Sequence, residues 1–88
     1  MKQNPDFVMC DVAGNHVLMP IGRSAINLDG MITLNDIGVF IWNNLSQDIS
    51  YSALLESIVS NYDVEKETAD TDLNTFLTVL KDVNAIVE

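Results

Sequence analysis

The stretch MITLNDIGVFIWNNL, Met31 to Leu45, decides the fold. Met31–Leu34 reads as a strand, and the residues after Asn35 read as a helix. Asn35 is a good N-cap, because its side chain can accept from the free N–H groups of a first helical turn. Asp36 follows at the positive end of the helix dipole. Leu34 before the cap and Val39 at the fourth helical position form a hydrophobic staple, which fixes the angle at which strand feeds helix. Ile37, Phe40, Ile41 and Leu45 recur at helical spacing, and Val39 and Trp42 widen the stripe until the helix is apolar on most sides. Trp42, the single tryptophan, is the expected core anchor.

Upstream lie two short apolar runs, FVMCDV (Phe7–Val12) and HVLMPI (His16–Ile21). The residues between them, Ala13-Gly14-Asn15, predict a β-hairpin with a three-residue connection. Pro20 has no N–H, so the second strand should fray or lie at an edge there. Gly22–Ser24 reads as a loop, Ala25–Leu28 as a short return arm, and Asp29-Gly30 as a turn before the third strand, Met31–Leu34.

Downstream, Ser50 caps a second helix, with Ile49 and Leu54 as its staple. Tyr51, Leu54, Leu55, Ile58, Val59 and Tyr62 share one face, so this helix should end near Asn61. A third helix is predicted from about Lys66 to Val83, with Ala69, Leu73, Phe76, Leu80 and Val83 inward and Leu77 and Val79 flanking. Asn84 stands where a left-handed residue closes a helix, and Ala85–Val87 should fold back on the core. The sum is one α+β domain over residues 1–88. Three N-terminal antiparallel strands precede three helices that resemble a winged helix-turn-helix core. Its expected core residues are Trp42, Phe40, Leu54, Leu73, Phe76 and Leu80.

Bulk properties narrow the function. The 88 residues fit one domain, and 48 % hydrophobic content is too high for disorder. No apolar run approaches the roughly 20 residues that cross a bilayer. The N-terminus lacks an apolar signal core, and one cysteine permits no internal disulfide. These features point to a cytoplasmic protein. Thirteen acids against four bases give a net charge of −9, which repels phosphate backbones and anionic membranes. From Lys66 to Val83 two lysines face Glu67, Asp70, Asp72 and Asp82, so a DNA-reading third helix is disfavoured as well.

Catalytic and ligand motifs are missing. One histidine and one cysteine cannot build a structural zinc site in a monomer. DVEKETADTD lacks the spacing of a calcium loop, the four glycines form no phosphate fingerprint, and neither helix start carries the Asp-Ser-Leu setting of an acyl carrier. A Cys10–His16 couple on one sheet face is conceivable if Val12 faces His16 across the turn, but no orienting third residue is evident. What remains is a non-enzymatic binding module with no metal or cofactor. The short strand Met31–Leu34 is its exposed sheet edge, a template for a partner strand.

The segments HVLMPIG (16–22), DGMITLNDIGVFIWNNL (29–45), SYSALLESIVSNYDV (50–64) and ETADTDLNTFLTVLKDVNAIVE (67–88) together resemble the PqqD-like family. Leu34-Asn35, Ile41-Trp42, Tyr62-Asp63, Asp72, Phe76 and Leu80 occupy the positions of that family's pattern. The resemblance covers about residues 7–87. Asn84 replaces a frequent glycine, and Cys10 replaces a frequent arginine. The resemblance implies a precursor-peptide recognition element, a peptide chaperone that is not itself an enzyme. Such proteins bind the leader of a ribosomally made precursor as an added strand and present it to a modifying enzyme, in the prototype a radical S-adenosylmethionine enzyme of quinone synthesis. Carried onto this chain, it implies peptide contacts from Met31, Ile32, Thr33 and Leu34, with Thr75, Val79 and Asp82 of the third helix as the far wall. The other reading is a winged-helix regulator that acts through protein contacts.

Overall fold

The computed structural model describes residues 1–21 and 31–87. The expected loop Gly22–Ser24, return arm Ala25–Leu28 and Asp29-Gly30 turn lie outside the described residues. The elements run β1 (Lys2–Gln3), β2 (Phe7–Val12), β3 (Asn15–Pro20), β4 (Ile32–Leu34), α1 (Asp36–Asn44), α2 (Tyr51–Asn61), α3 (Lys66–Asp82) and β5 (Ile86–Val87). β2, β3 and β4 form an antiparallel sheet in that order, and β1 pairs with β5 in a separate two-stranded ribbon. This is the α+β arrangement read from the sequence, with the ribbon added.

Capping chemistry sets the helix boundaries. The Asn35 side chain accepts from the Gly38 N–H at 2.8 Å, and Ser50 Oγ accepts from the Ala53 N–H at 3.2 Å. Gly38 suits the closeness of this joint, where a side chain would make the neighbours give by a few tenths of an ångström. A Cβ there would stand 3.2 Å from Asn35 Oδ1 and 3.4 Å from Leu34 Cβ. At the other end of the chain Asn84 adopts φ 64°, the left-handed closure expected from its position. The Asn84 N–H donates to Lys81 O and the Ala85 N–H to Leu80 O, at 3.0 and 2.8 Å, which completes a Schellman motif. That turn sends Ala85 and Ile86 into the core and β5 onto β1. The ribbon in turn serves α1, since Gln3 donates through its side chain to Trp42 O (2.7 Å) and through its backbone to Leu45 O (2.8 Å). Gln3 thereby adds donors to carbonyls at the C-terminal end of α1, where the helix's own N–H groups run out.

Leu18, Leu34, Ile41, Trp42, Leu45, Leu54, Leu73 and Leu80 lie in one buried cluster between the sheet and the helices. Two expected core residues belong instead to its border. Phe40 is half-buried and meets Tyr62 edge-on, with ring centroids 5.2 Å apart. Ile41, Trp42 and Leu45 take the inward arc of α1 and leave Phe40 rotated toward the end of α2. Phe76 is also half-buried. Ala69, Leu73, Leu77 and Leu80 form the buried seam of α3, so Leu77 occupies the interior position expected of Phe76. This rotation turns Phe76 toward β4.

The hairpin differs from its sequence reading by one residue. Val12 pairs with Asn15, and the loop is Ala13-Gly14 alone, with φ values of 53° and 84°. Positive φ at both loop residues matches the twist of the strands. The observed register pairs Asp11 with His16 and Cys10 with Val17. A one-residue shift moves side chains to the opposite face. Cys10 and His16 therefore lie on opposite faces of the sheet, and the Cys–His couple does not form. His16 Nδ1 lies 3.5 Å from Asp11 Oδ1 instead.

Helices α2 and α3 are also joined at their N-terminal ends. The Tyr51 hydroxyl donates to the Asp70 carboxylate and approaches the Asp70 carbonyl oxygen at 3.0 Å. The carboxylate holds the Tyr51 phenol protonated and pushes its pKa up to about 12. An unfolded tyrosine ionises near 10, so the unfolded chain loses this proton first as pH rises. The contribution to stability is complete below pH ~10 and is lost between about 10 and 12. Denaturation midpoints should fall more steeply across that window for the native chain than for Tyr51→Phe.

Candidate functional site

The outer edge of β4 can be read from the hairpin register. Alternate residue pairs of an antiparallel ladder exchange hydrogen bonds. The Ile21 N–H donates to Asp6 O at 2.6 Å, which marks that pair as a bonded one. The next pair, Phe7 with Pro20, is then unbonded, as the missing N–H of Pro20 requires. Alternation makes Val8–Met19, Cys10–Val17 and Val12–Asn15 the bonded pairs. His16 and Leu18 therefore turn their backbone groups away from β2 and toward β4, where they face Leu34 and Ile32. Thr33, opposite Val17, is left with its N–H and C=O directed away from β3. Among the described residues β4 has no strand on that side.

Side chains follow the same alternation. Ile32 and Leu34 share the face of Leu18, which is wholly buried, so they point toward the helices. Thr33 points to the other face and is exposed. Beside the free edge, Ile32, Leu34, Asn35, Phe76 and Val79 line a cavity of about 490 Å³. A second cavity of about 410 Å³ continues between the start of α1 and α3, sharing Asn35, Phe76 and Val79 and adding Ile37, Gly38, Asp72 and Thr75. The two form one apolar trough along the edge of β4.

Of the residues expected at a site, Ile32, Thr33, Leu34, Thr75 and Val79 all line this trough. Val79 is 41 % exposed, and with half-buried Phe76 it gives the trough an apolar outer wall. Met31 is exposed just before β4, and Asp82 is exposed at the end of α3; neither lines the two cavities. Phe76, expected inside the core, is the shared wall of both. The continuation past Asn35 was not read from the sequence, because it is a gap between elements distant in the chain. Among the described residues no group of three or more His, Cys, Asp or Glu side chains could hold a metal ion. No described helix is long and apolar enough to cross a membrane.

Compared with known families, residues 15–86 match coenzyme PQQ synthesis protein D, PqqD. The chain belongs to the PqqD family. Its matched segment runs from β3 to β5 and so contains the whole trough. A search of curated proteins gave no significant match. Among solved structures the chain is similar to TbiB1 in complex with the TbiA(beta) leader peptide. The TM-score is 0.74 at 22 % identity, covering 97 % of this chain and 93 % of the other. It is also similar to lasso peptide synthetase B1 complexed with the leader peptide, with a TM-score of 0.70 at 26 % identity, covering 96 % and 92 %. At such identities the first likeness concerns the fold.

Proposed function

We propose that this PqqD-family protein is a non-catalytic recognition element. It captures the leader segment of a ribosomally synthesised precursor peptide and presents it to a modifying enzyme, of the radical S-adenosylmethionine type or another. The observation that carries the reading is the free edge at Thr33 lying directly beside an apolar trough. An added strand needs both features: backbone groups to continue the ladder, and a place for every second side chain. Both similar structures being leader complexes supports the same reading.

In this reading a leader residue opposite Thr33 exchanges hydrogen bonds with it. Its two neighbours, two positions apart and therefore about 6–7 Å from each other, point the way Ile32 and Leu34 point. They enter the trough against Phe76 and Val79, with Thr75 further along the wall. Met31 and Asp82 flank the two ends as secondary contacts. The net charge of −9 works against a nucleic-acid role for the winged-helix-like core. Fluorescence anisotropy separates the two. A labelled leader peptide of the cognate precursor should titrate to saturation at micromolar concentrations or below, while a labelled 20-base-pair duplex should show no change at physiological salt. Saturable, salt-sensitive DNA binding with no leader binding would reverse the assignment.

A further inference from the structure

Among the described residues the trough carries one charged side chain. Asp72 lines the cavity between α1 and α3, beside Ile37, Gly38 and Phe76. Its carboxylate makes no ion pair or hydrogen bond among the described residues. None of Lys2, Lys66 and Lys81 lines either cavity. Asp72 is itself exposed, but it stands on the rim of an apolar wall that an occupant would cover, and covering an unpaired carboxylate is costly. A lysine or arginine side chain suits such a place, because its methylene stem packs on apolar surface while its charged head reaches the carboxylate.

We infer that the captured peptide carries a lysine or arginine on the α1 side of its apolar pair, and that Asp72 selects it. The inference rests on the strand-addition reading above and deepens it. An acidic residue at the same position is rejected by Asp72, and a neutral apolar one leaves the carboxylate desolvated without a partner. Charge selection thus supplements shape along the trough. The pair is partly open to solvent, so the discrimination is moderate, roughly three- to tenfold, and weakens with salt.

The test uses an array of capped synthetic dodecamers with an Ile-Ala-Leu core in a Ser/Ala background. One flanking position at a time is lysine, norleucine or glutamate. Norleucine retains the aliphatic stem and lacks the charge. The native protein should retain lysine peptides above norleucine and glutamate at one flanking position. Asp72→Asn should level that preference, and Asp72→Lys should reverse it toward glutamate. Peptides held by the native chain and lost by Thr33→Pro, but with lysine and norleucine equal or with a lysine preference that survives Asp72→Asn, would overturn the inference alone. Equal retention by the native and Thr33→Pro proteins, or retention of no peptide, would overturn the strand-addition reading and this inference with it.

Discussion

Replacing Trp42 with alanine should cost about 3–5 kcal/mol, the usual range for deleting a buried aromatic side chain. Trp42 is 3 % exposed and lies in the same buried cluster as Ile41, Leu45 and Leu54. A domain of this length has about 4–13 kcal/mol of stability in total. The substitution therefore removes from about a quarter to all of it. Urea denaturation should show a much lower midpoint, or an unfolded baseline without urea. Trp42→Phe keeps an aromatic filler and should cost less. A midpoint unmoved by Trp42→Ala would mean that the indole is free in solution, and would return it to the pool of partner-binding residues.

The second large effect separates two adjacent prolines. Thr33 directs its N–H away from β3, so Thr33→Pro removes no bond of the β3–β4 ladder. Proline is tolerated at such an edge position, and Ile32 before it is already extended. The folded domain should survive with its denaturation midpoint nearly unchanged. Leader capture should fall sharply, because one ladder donor is gone and its acceptor on the peptide is left unpaired. The combined cost is about 2–4 kcal/mol, roughly 30- to 900-fold in Kd. Ile32→Pro does the reverse. Its N–H faces Leu18, so the substitution breaks the native ladder and should lower the midpoint. Unchanged leader affinity in folded Thr33→Pro would exclude this edge as the docking strand.

How much of this was legible in the sequence depended on whether the controlling interaction was local. Asn35, Ser50 and Asn84 announced their helix ends, because a cap acts on backbone groups within three residues of itself. The hairpin was visible, but its loop length was not. Ala13-Gly14-Asn15 offers two adjacent turn candidates, and a left-handed alanine is not the first choice for either. That one-residue difference decided the face of Cys10 and, through alternation, which residue of β4 faces outward. The β1–β5 ribbon has two-residue strands, too short for any periodic pattern, and joins opposite ends of the chain. In α3 the apolar residues Leu73, Phe76, Leu77, Val79 and Leu80 span an arc wider than the core can cover. Packing against α1 and α2 chose Leu77 for the interior and left Phe76 to the trough. The strand with the open edge could be named from residues 31–34, whereas the cavity reaching Asp72 depends on how α1 and α3 meet.

The most direct test of strand addition at β4 is a map of backbone amide shifts as a leader peptide is titrated into the isotopically labelled protein. The shifts should concentrate on residues 31–35, largest at the Thr33 amide, and on the 72–79 face of α3. The β2–β3 hairpin should move little apart from residues that pair directly with β4. Shifts confined to residues 7–15, with Thr33 and Val79 unmoved at saturation, would contradict the assignment.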